Sequence, residues 1–390
     1  MIRHALKLMW NRKHHNLLIL CELMGAFLVL MILWIAGIAA HGRWQQPVGF
    51  EAENLWTLTG AGPEDAAPPA GTGQRLLAAA REHPQVEGAG LMYFPLYTQS
   101  GMRISNTEDG RFLLAEHIPA SPGVGSVLGL ELVEGRFFDE RDRSGASPPV
   151  VINRALADRY FGRGAPVLDQ TLRFGETSHR VLGVVETFRK GGELVLEEPV
   201  FFSPLWPDSE LRFGLAALAL RMRPGTDEAA QEELVMRLRA EMPSWNFDIT
   251  RVADQRQHHL QERAAPLVAG AVVAVFLLAM VGLGLTGVLW QNISKRTQEI
   301  GLRRAQGATA ADIRFQIGLE LSVLTAVSIV LASVLAAQLP ILGIVEVETS
   351  VALRAFVLSS AILILISAVC GLYPGWLAAR IQPAQALHRQ

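Results

Sequence analysis

Two adjacent histidines, His258 and His259, an acidic run at Asp139, Glu140 and Asp142, and two carboxylates inside apolar stretches, Glu22 and Glu320, are the side chains whose type and spacing invite a chemical reading. Successive helical residues point about 100° apart, so the histidine pair cannot close on one metal ion. No H-E-x-x-H metal motif occurs, no G-x-S-x-G nucleophile elbow, and no G-x-x-x-x-G-K-[ST] loop to cradle a phosphate. Asp139, Glu140 and Asp142 alternate with arginines and read as a solvated loop. Two cysteines, Cys21 and Cys370, are too few for a disulfide scaffold or a cysteine-based zinc site. The residues give no catalytic constellation, and we expect no enzyme activity and no metal or cofactor bound by this chain.

The intramembrane acids are more informative. Glu22 and Glu320 fall a turn or two inside hydrophobic runs, where a carboxylate marks a functional site unless it reaches the interface or a base. The competing reading pairs them with nearby bases such as Arg12 or Arg314.

The elements that must hold these residues follow from composition. Of 390 residues, 50% are hydrophobic and 18% charged, below the ~25% charged residues of soluble domains. The net charge of −2 gives no reason to expect nucleic-acid binding. Four apolar runs, Leu17–Ala40, Ala264–Trp290, Phe315–Leu339 and Ala355–Leu377, each reach the ~20 residues that cross a bilayer. Arg3, Lys7, Arg12 and Lys13 precede the first run. Lys295, Arg296, Arg303, Arg304 and Arg314 lie between the second and third, and Arg380 and Arg389 follow the fourth. The last loop carries Glu346 and Glu348, with Arg354 at its end. The positive-inside rule then places both termini and the loop 291–314 in the cytosol, and about 41–263 outside.

The pattern predicts an α-helical membrane protein with four transmembrane helices plus an α+β periplasmic domain. The divisions are 1–45 for the tail and first span, 46–263 for the periplasmic domain, and 264–390 for the three further spans with their cytosolic loop. Inside 46–263, strand patterns at Gly49–Leu58 and Val86–Leu96 flank a Gly/Pro/Ala loop, Gly60–Gly73, and a helix at Thr72–His83. The order recurs as a strand at Leu215–Arg221, a helix from an N-cap at Thr226 to Met242, and a strand at Phe247–Val252. Two such units around an insertion of about 105–210 predict a ferredoxin-like split βαβ unit with an inserted α/β subdomain. Within the insertion we expect a strand-to-helix stretch, Pro149–Phe161, and a hairpin, Thr171–Val185.

In the second span, Gly282, Gly284 and Gly287 predict a helix-packing face. In the loop after it, Ile293, Thr297, Ile300 and Arg304 share one helical face. Gly307 is suited to end that helix, and Thr309 with Asp312 has capping-box spacing for the next. By physics alone this is a basic, partly amphipathic helix held by lipid headgroups at the membrane surface.

Three ordered motifs carry a resemblance. Arg296-Thr-Gln-Glu-Ile-Gly-Leu-Arg-Arg-Ala-Gln-Gly-Ala-Thr309 is similar to the signature loop of MacB/FtsX-type ABC transporter permeases. Tyr373-Pro374 with Ala378-Ala-Arg-Ile-Gln-Pro-Ala-Gln-Ala-Leu387 resembles the same family's terminus. Gly135-Arg-Phe-Phe-Asp-Glu140, Pro149–Phe161 and Val181-Leu-Gly-Val-Val185 resemble the MacB-like periplasmic core domain. Ser294-Lys295 and Gln306 depart from the loop pattern and fit a specialised ATPase or a non-identical permease pair.

The resemblance implies a mechanotransmitting permease of a bacterial inner-membrane complex, docked by a cytosolic ABC ATPase dimer that binds ATP and Mg on another polypeptide. It implies a second permease, identical or paralogous, and a tripartite export context with a periplasmic adaptor and outer-membrane channel, for a peptide, toxin or antibiotic. Lipoprotein extraction of the LolC/LolE kind, or FtsX-like regulation of a periplasmic hydrolase, are the alternatives. The ATPase-coupling residues implied are Glu299, Ile300, Gly301, Leu302, Arg303, Arg304 and Gly307. In that reading Ile300 and Leu302 supply apolar anchors, Glu299 and Arg303 orienting charges, and Gly307 the exit toward the third span.

Overall fold

The computed structural model describes residues 13–61, 68–98, 101–108, 111–145, 147–174, 177–208, 217–341 and 347–379. Arg3, Lys7, Arg12, Glu346, Arg380, Arg389, the terminal motif from Arg380 on and the centre of the Gly60–Gly73 loop lie outside them. The chain divides into two compact units, 1–42 with 264–390, and 43–263.

In the second unit, alternation of apolar residues builds the strands β1 (Leu55–Ala61), β2 (Val86–Met92), β10 (Ala217–Met222) and β11 (Asn246–Arg251). They lie in the order β11-β1-β10-β2, with β10 antiparallel between β1 and β2. This is the split βαβ arrangement. Helices α2 (Thr72–Arg81) and α5 (Glu228–Glu241) cover one face. Leu76, Leu77 and Ala80 of α2 and Leu234 and Leu238 of α5 pack on Trp56, Leu58, Leu218 and Leu220. Truncating one such fully buried leucine to alanine costs about 2–5 kcal/mol. The N-cap of α5 is Asp227, one residue later than Thr226. Its carboxylate accepts from the Ala230 amide, while the Thr226 hydroxyl turns back to the Arg223 carbonyl. Asp at this position meets the free amide with a full negative charge at the positive end of the helix.

The insertion is not a separate sheet. It comprises β3 (Met102–Glu108), β4 (Arg111–Ala120), α3 (Val124–Leu128), β5 (Leu132–Gly135), β6 (Pro149–Asn153), α4 (Arg154–Tyr160), β7 (Thr171–Phe174), β8 (Thr177–Val185) and β9 (Val200–Pro204). Met92 of β2 pairs with Ala120 of β4, and the ladder continues β4-β9-β6-β8-β5. The Ser121 hydroxyl accepts from the Leu91 amide at 2.8 Å beside that junction. Against β2 lies α3, and a Cβ on Gly90 would come 2.5 Å from Val124 Cγ2. Only glycine permits that approach.

The expected strand-to-helix stretch is β6 and α4, capped by the Asn153 side chain on the Leu156 amide, and the expected hairpin is β7 paired to β8. Asp142 departs from the solvated loop read from sequence. It is buried and takes both Arg136 nitrogens at 2.7 and 2.6 Å. That arginine holds its carboxyl below the usual range. Hydrogen bonds from Arg141 bring exposed Asp139 down to about 2. His258 and His259 diverge as the helical geometry requires. His259 is buried with its ring against Tyr97, and exposed His258 faces Glu262.

Arg189, 2% exposed, sits in a cage of carbonyls. Its Nη1 donates to Arg43 and Gln46 at 2.9 and 3.1 Å, its Nε to Val195 at 3.1 Å, and its Nη2 to Val195 and Glu193. Five donors and no acceptor suit a guanidinium to free carbonyls at a helix end.

Among the described residues, the first unit holds four helices long and apolar enough to cross a membrane. They are α1 (Lys13–Trp44), α6 (Val252–Lys295, which begins in the other unit), α8 (Ala310–Ile341) and α9 (Thr349–Ala379). Leu23 and Phe27 of α1, Val281 and Leu285 of α6, Leu321 and Ile329 of α8 and Leu363 of α9 form their shared core. Thr325 Oγ1 of α8 donates to Ser367 Oγ of α9 at 2.9 Å.

Candidate functional site

The short helix α7 (Thr297–Ala305) lies between α6 and α8. Its end is fixed by backbone chemistry. The Gly307 amide donates to the Arg304 carbonyl at 3.1 Å and the Ala308 amide to the Arg303 carbonyl at 3.0 Å. This is a Schellman stop, and it needs the φ of +99° that Gly307 adopts. The next helix starts two residues on. Asp312 Oδ2 accepts from the Thr309 amide at 2.8 Å, and Thr309 Oγ1 accepts from the Asp312 amide at 3.2 Å. Stop and start therefore form one rigid corner.

A closed ring of side chains ties α7 to α8. Arg296 gives Nε and Nη2 to Glu299 at 2.9 and 3.1 Å, and Nη1 to Glu320 at 3.1 Å. Glu299 pairs with Arg303 at 2.7 Å, Arg303 bonds Gln316 Oε1, and Gln316 Nε2 returns to Glu320 at 3.2 Å. Bonding to Glu299 first, and the charge of Glu320 after it, raise the Arg296 guanidinium above its ordinary value. Ile293, Ile300, Ile313 and Ile317 form a small apolar cluster beneath. Nothing here is a nucleophile or a general base with a substrate cleft. The arrangement makes a stiff, positively charged knob.

The structure sorts the sequence-derived residues. Ile300 and Gly301 are buried against the chain itself, so in this state Ile300 is part of the knob's footing. Leu302 is 52% exposed and is the apolar side chain facing out. Glu299 and Arg303 are partly exposed and bonded to each other, and Arg304 is half-buried on the same helix. Glu320 pairs with Arg296, not Arg314. Arg314 lies six residues before Glu320 on the same helix, about 240° round it, and its Nε turns to the Ala310 carbonyl. Sequence reasoning did not join Arg296, Gln316 and Glu320. The i, i+4 spacing of Gln316 and Glu320 was visible, but the third member arrives through the fold.

The glycines of α6 face three ways. A Cβ on Gly284 would meet Glu22 Oε2 at 2.6 Å, so this glycine makes room for the carboxylate of α1. A Cβ on Gly282 would touch Cys370 Sγ of α9 at 3.5 Å, and Gly287 has nothing within 4 Å. Gly282 and Gly284, two residues apart and about 200° round the helix from each other, serve different neighbours, and Gly287 borders open space.

Residues 25–236 match the MacB-like periplasmic core domain, and residues 271–383 match the FtsX-like permease C-terminal domain. The chain belongs to the MacB/FtsX-type ABC permease family. It is a membrane protein with a periplasmic domain and four apolar helices. The permease is 24% identical over 99% of its length to the pyoverdine export ATP-binding/permease protein PvdT of Pseudomonas syringae pv. syringae, covering 59% of that protein. It is 27% identical over 68% of its length to the macrolide export ATP-binding/permease protein MacB of Escherichia coli K12, covering 42% of it. The permease thus spans about three-fifths or less of these curated relatives. The periplasmic region of MacB from Actinobacillus actinomycetemcomitans superposes with a TM-score of 0.40 at 14% identity, over 55% of this chain and 96% of that one.

Proposed function

We propose that this permease is the mechanotransmitting subunit of an ATP-driven export complex of the bacterial inner membrane. The observation that carries the reading is α7, stopped and restarted by backbone motifs, braced by the Arg296–Glu320 ring, and presenting Leu302 outward. A helix that passes on motion must be stiff and must fit a groove on its partner, and this one has both a brace and an exposed anchor. The arginines and lysine of 295–314 put this loop in the cytosol by the positive-inside rule, both termini with it, and 43–263 in the periplasm.

A cytosolic ABC ATPase dimer carrying ATP and Mg docks on α7 in this reading, through Leu302 with Glu299, Arg303 and Arg304 around it. The permease works beside a second permease. Proteins to which it is similar are named for export of pyoverdine and of macrolides, which supports export as the task; the reading adds a periplasmic adaptor, an outer-membrane channel, and a peptide, toxin or antibiotic cargo. No G-x-x-x-x-G-K-[ST] motif lies in these 390 residues, so hydrolysis is assigned to a nucleotide-binding unit outside them.

Co-isolation with that ATPase tests the reading. The permease should add stimulated hydrolysis to the ATPase and show none by itself. Turnover by the permease alone, or no association in membranes, overturns the assignment.

A further inference from the structure

The loop that closes the Arg189 cage reverses the usual sorting of side chains. Within 193–197, Glu193 is drawn inward and is 7% exposed, whereas Leu196 is 62% exposed. The Glu193 carboxylate takes Arg256 Nε, and the Tyr97 hydroxyl at 3.4 Å. Exposed Glu197 accepts from Asn153 Nδ2 at 3.5 Å. A loop built for water keeps its carboxylates out and its leucine in.

The backbone is held in that arrangement. Arg189 bonds the carbonyls of Glu193 and Val195, and the Val195 amide donates to the Gly192 carbonyl at 3.3 Å. Arg43 Nη1 reaches the Leu194 carbonyl at 3.4 Å. Leu196 is therefore presented on a fixed support.

The support also sets its height. The Arg189 guanidinium that holds Glu193 and Val195 holds the carbonyls of Arg43 and Gln46 too. The loop backbone thus stands level with the end of α1. The apolar run of α1 ends at Ala40, and Trp44 lies four residues, about 6 Å, farther along the helix. The headgroup layer on each side of a bilayer is about 5–7 Å deep. Trp44 is 47% exposed, and its ring is held under the Arg256 guanidinium. A tryptophan at that depth is the ordinary aromatic anchor of a span. Leu196 continues the lipid-facing surface of α1 from the periplasmic domain's own loop.

We propose that loop 193–197 is a lipid-docking tip, with Leu196 inserted at the headgroup and acyl boundary of the outer leaflet beside Trp44. The occupant is the bilayer surface itself. The periplasmic domain then grips the membrane through a side chain outside its spanning helices. This contact requires only that α1 crosses the membrane and ends outside, so it stands apart from the ATPase docking proposed above.

Fluorescence quenching of the full chain in nanodiscs of phosphatidylethanolamine and phosphatidylglycerol tests it. In a background with Cys21→Ser and Cys370→Ala, a bimane is placed on Leu196→Cys, or on Met236→Cys of α5 as an equally exposed reference in water. Lipid carrying a nitroxide at the top of its acyl chain should quench the label at 196 and spare that at 236. With the label moved to Glu197→Cys, so that Leu196 is native, quenching should persist. Adding Leu196→Asp to that variant should weaken the membrane-bound state about tenfold, the loss of one buried aliphatic contact. Equal quenching at 196 and 236 overturns the proposal, as does quenching at 197 that Leu196→Asp leaves unchanged. A label at 196 whose emission moves to the blue without nitroxide quenching means that protein covers the tip, a partner or a second copy, and overturns it as well.

Discussion

Glu320 of α8 holds Arg296 at 3.1 Å across 24 residues of chain, and the same guanidinium takes Glu299 at 2.9 Å. One arginine therefore fastens the start of α7 to the flank of the following membrane helix. The pair is partly shielded, with side-chain exposures of 12% and 30%.

Removing either partner leaves a shielded charge without its counter-ion, which costs about 1–3 kcal/mol. We expect Glu320→Ala to raise amide exchange across 296–306 without touching the periplasmic domain. The reversed pair, Arg296→Glu with Glu320→Arg, should recover part of the protection. Equal exchange in wild type and Glu320→Ala would show that the ring does not brace the loop.

At Gly307 the φ of +99° is a conformation that L side chains rarely adopt. Gly307→Val should cost more than its volume suggests, about 1–2 kcal/mol or above for a β-branched residue. Gly307→Asn should be milder, since asparagine tolerates positive φ. ATPase stimulation by the two variants measures this, and equal loss in both would point to side-chain volume instead of backbone.

Ile300 and Leu302 are two residues apart with opposite surroundings, 7% against 52% exposed. Ile300→Asp drives a charge into the isoleucine cluster and should loosen α7 in amide exchange even without the ATPase. Leu302→Asp should leave exchange unchanged and weaken ATPase co-isolation about tenfold, the loss of one buried aliphatic contact. Wild-type co-isolation by Leu302→Asp would remove it from the docking face.

Burial lowers His117 in the periplasmic domain to about 4, with His179 nearby adding to the effect. A histidine protonates near pH 6.5 in an unfolded chain. Between those values the unfolded state binds the proton and the folded state does not. The domain should therefore lose stability as pH falls from about 6.5 to 4, by up to about 1.4 kcal/mol per pH unit from this group. Lowered His179 and His259 act in the same direction. Urea unfolding of wild type and His117→Gln at pH 7 and pH 4.5 checks it, and identical pH slopes would sink the claim.

Most of the architecture was legible because it is written in local periodicity. The four apolar runs, the split βαβ order, the Gly307 stop and the Thr309–Asp312 cap each depend on residues close in sequence. What sequence did not reveal depends on distant meetings. Met92 beside Ala120 merges the insertion into one sheet, and no local pattern marks a single cross-strand pair. Arg296 reaching Glu320 displaced the nearer Arg314 because helix phase, and not separation, decides which base faces the acid. Leu302 and Ile300 looked equivalent as aliphatics, and only the packing of Ile313 and Ile317 separated them.

The carbonyl cage of Arg189 sets where a soluble periplasmic fragment can begin. Hydropathy invites a cut just after Trp44, yet two of the acceptors are the carbonyls of Arg43 and Gln46. A fragment starting at residue 48 would bury one guanidinium nitrogen facing no oxygen, a penalty of about 1–3 kcal/mol or more for a charged donor. The autonomous folding boundary thus lies at or before Arg43, past the apolar run that ends at Ala40 but still inside α1 (Lys13–Trp44). A few residues of that helix belong to the water-soluble domain as its plug.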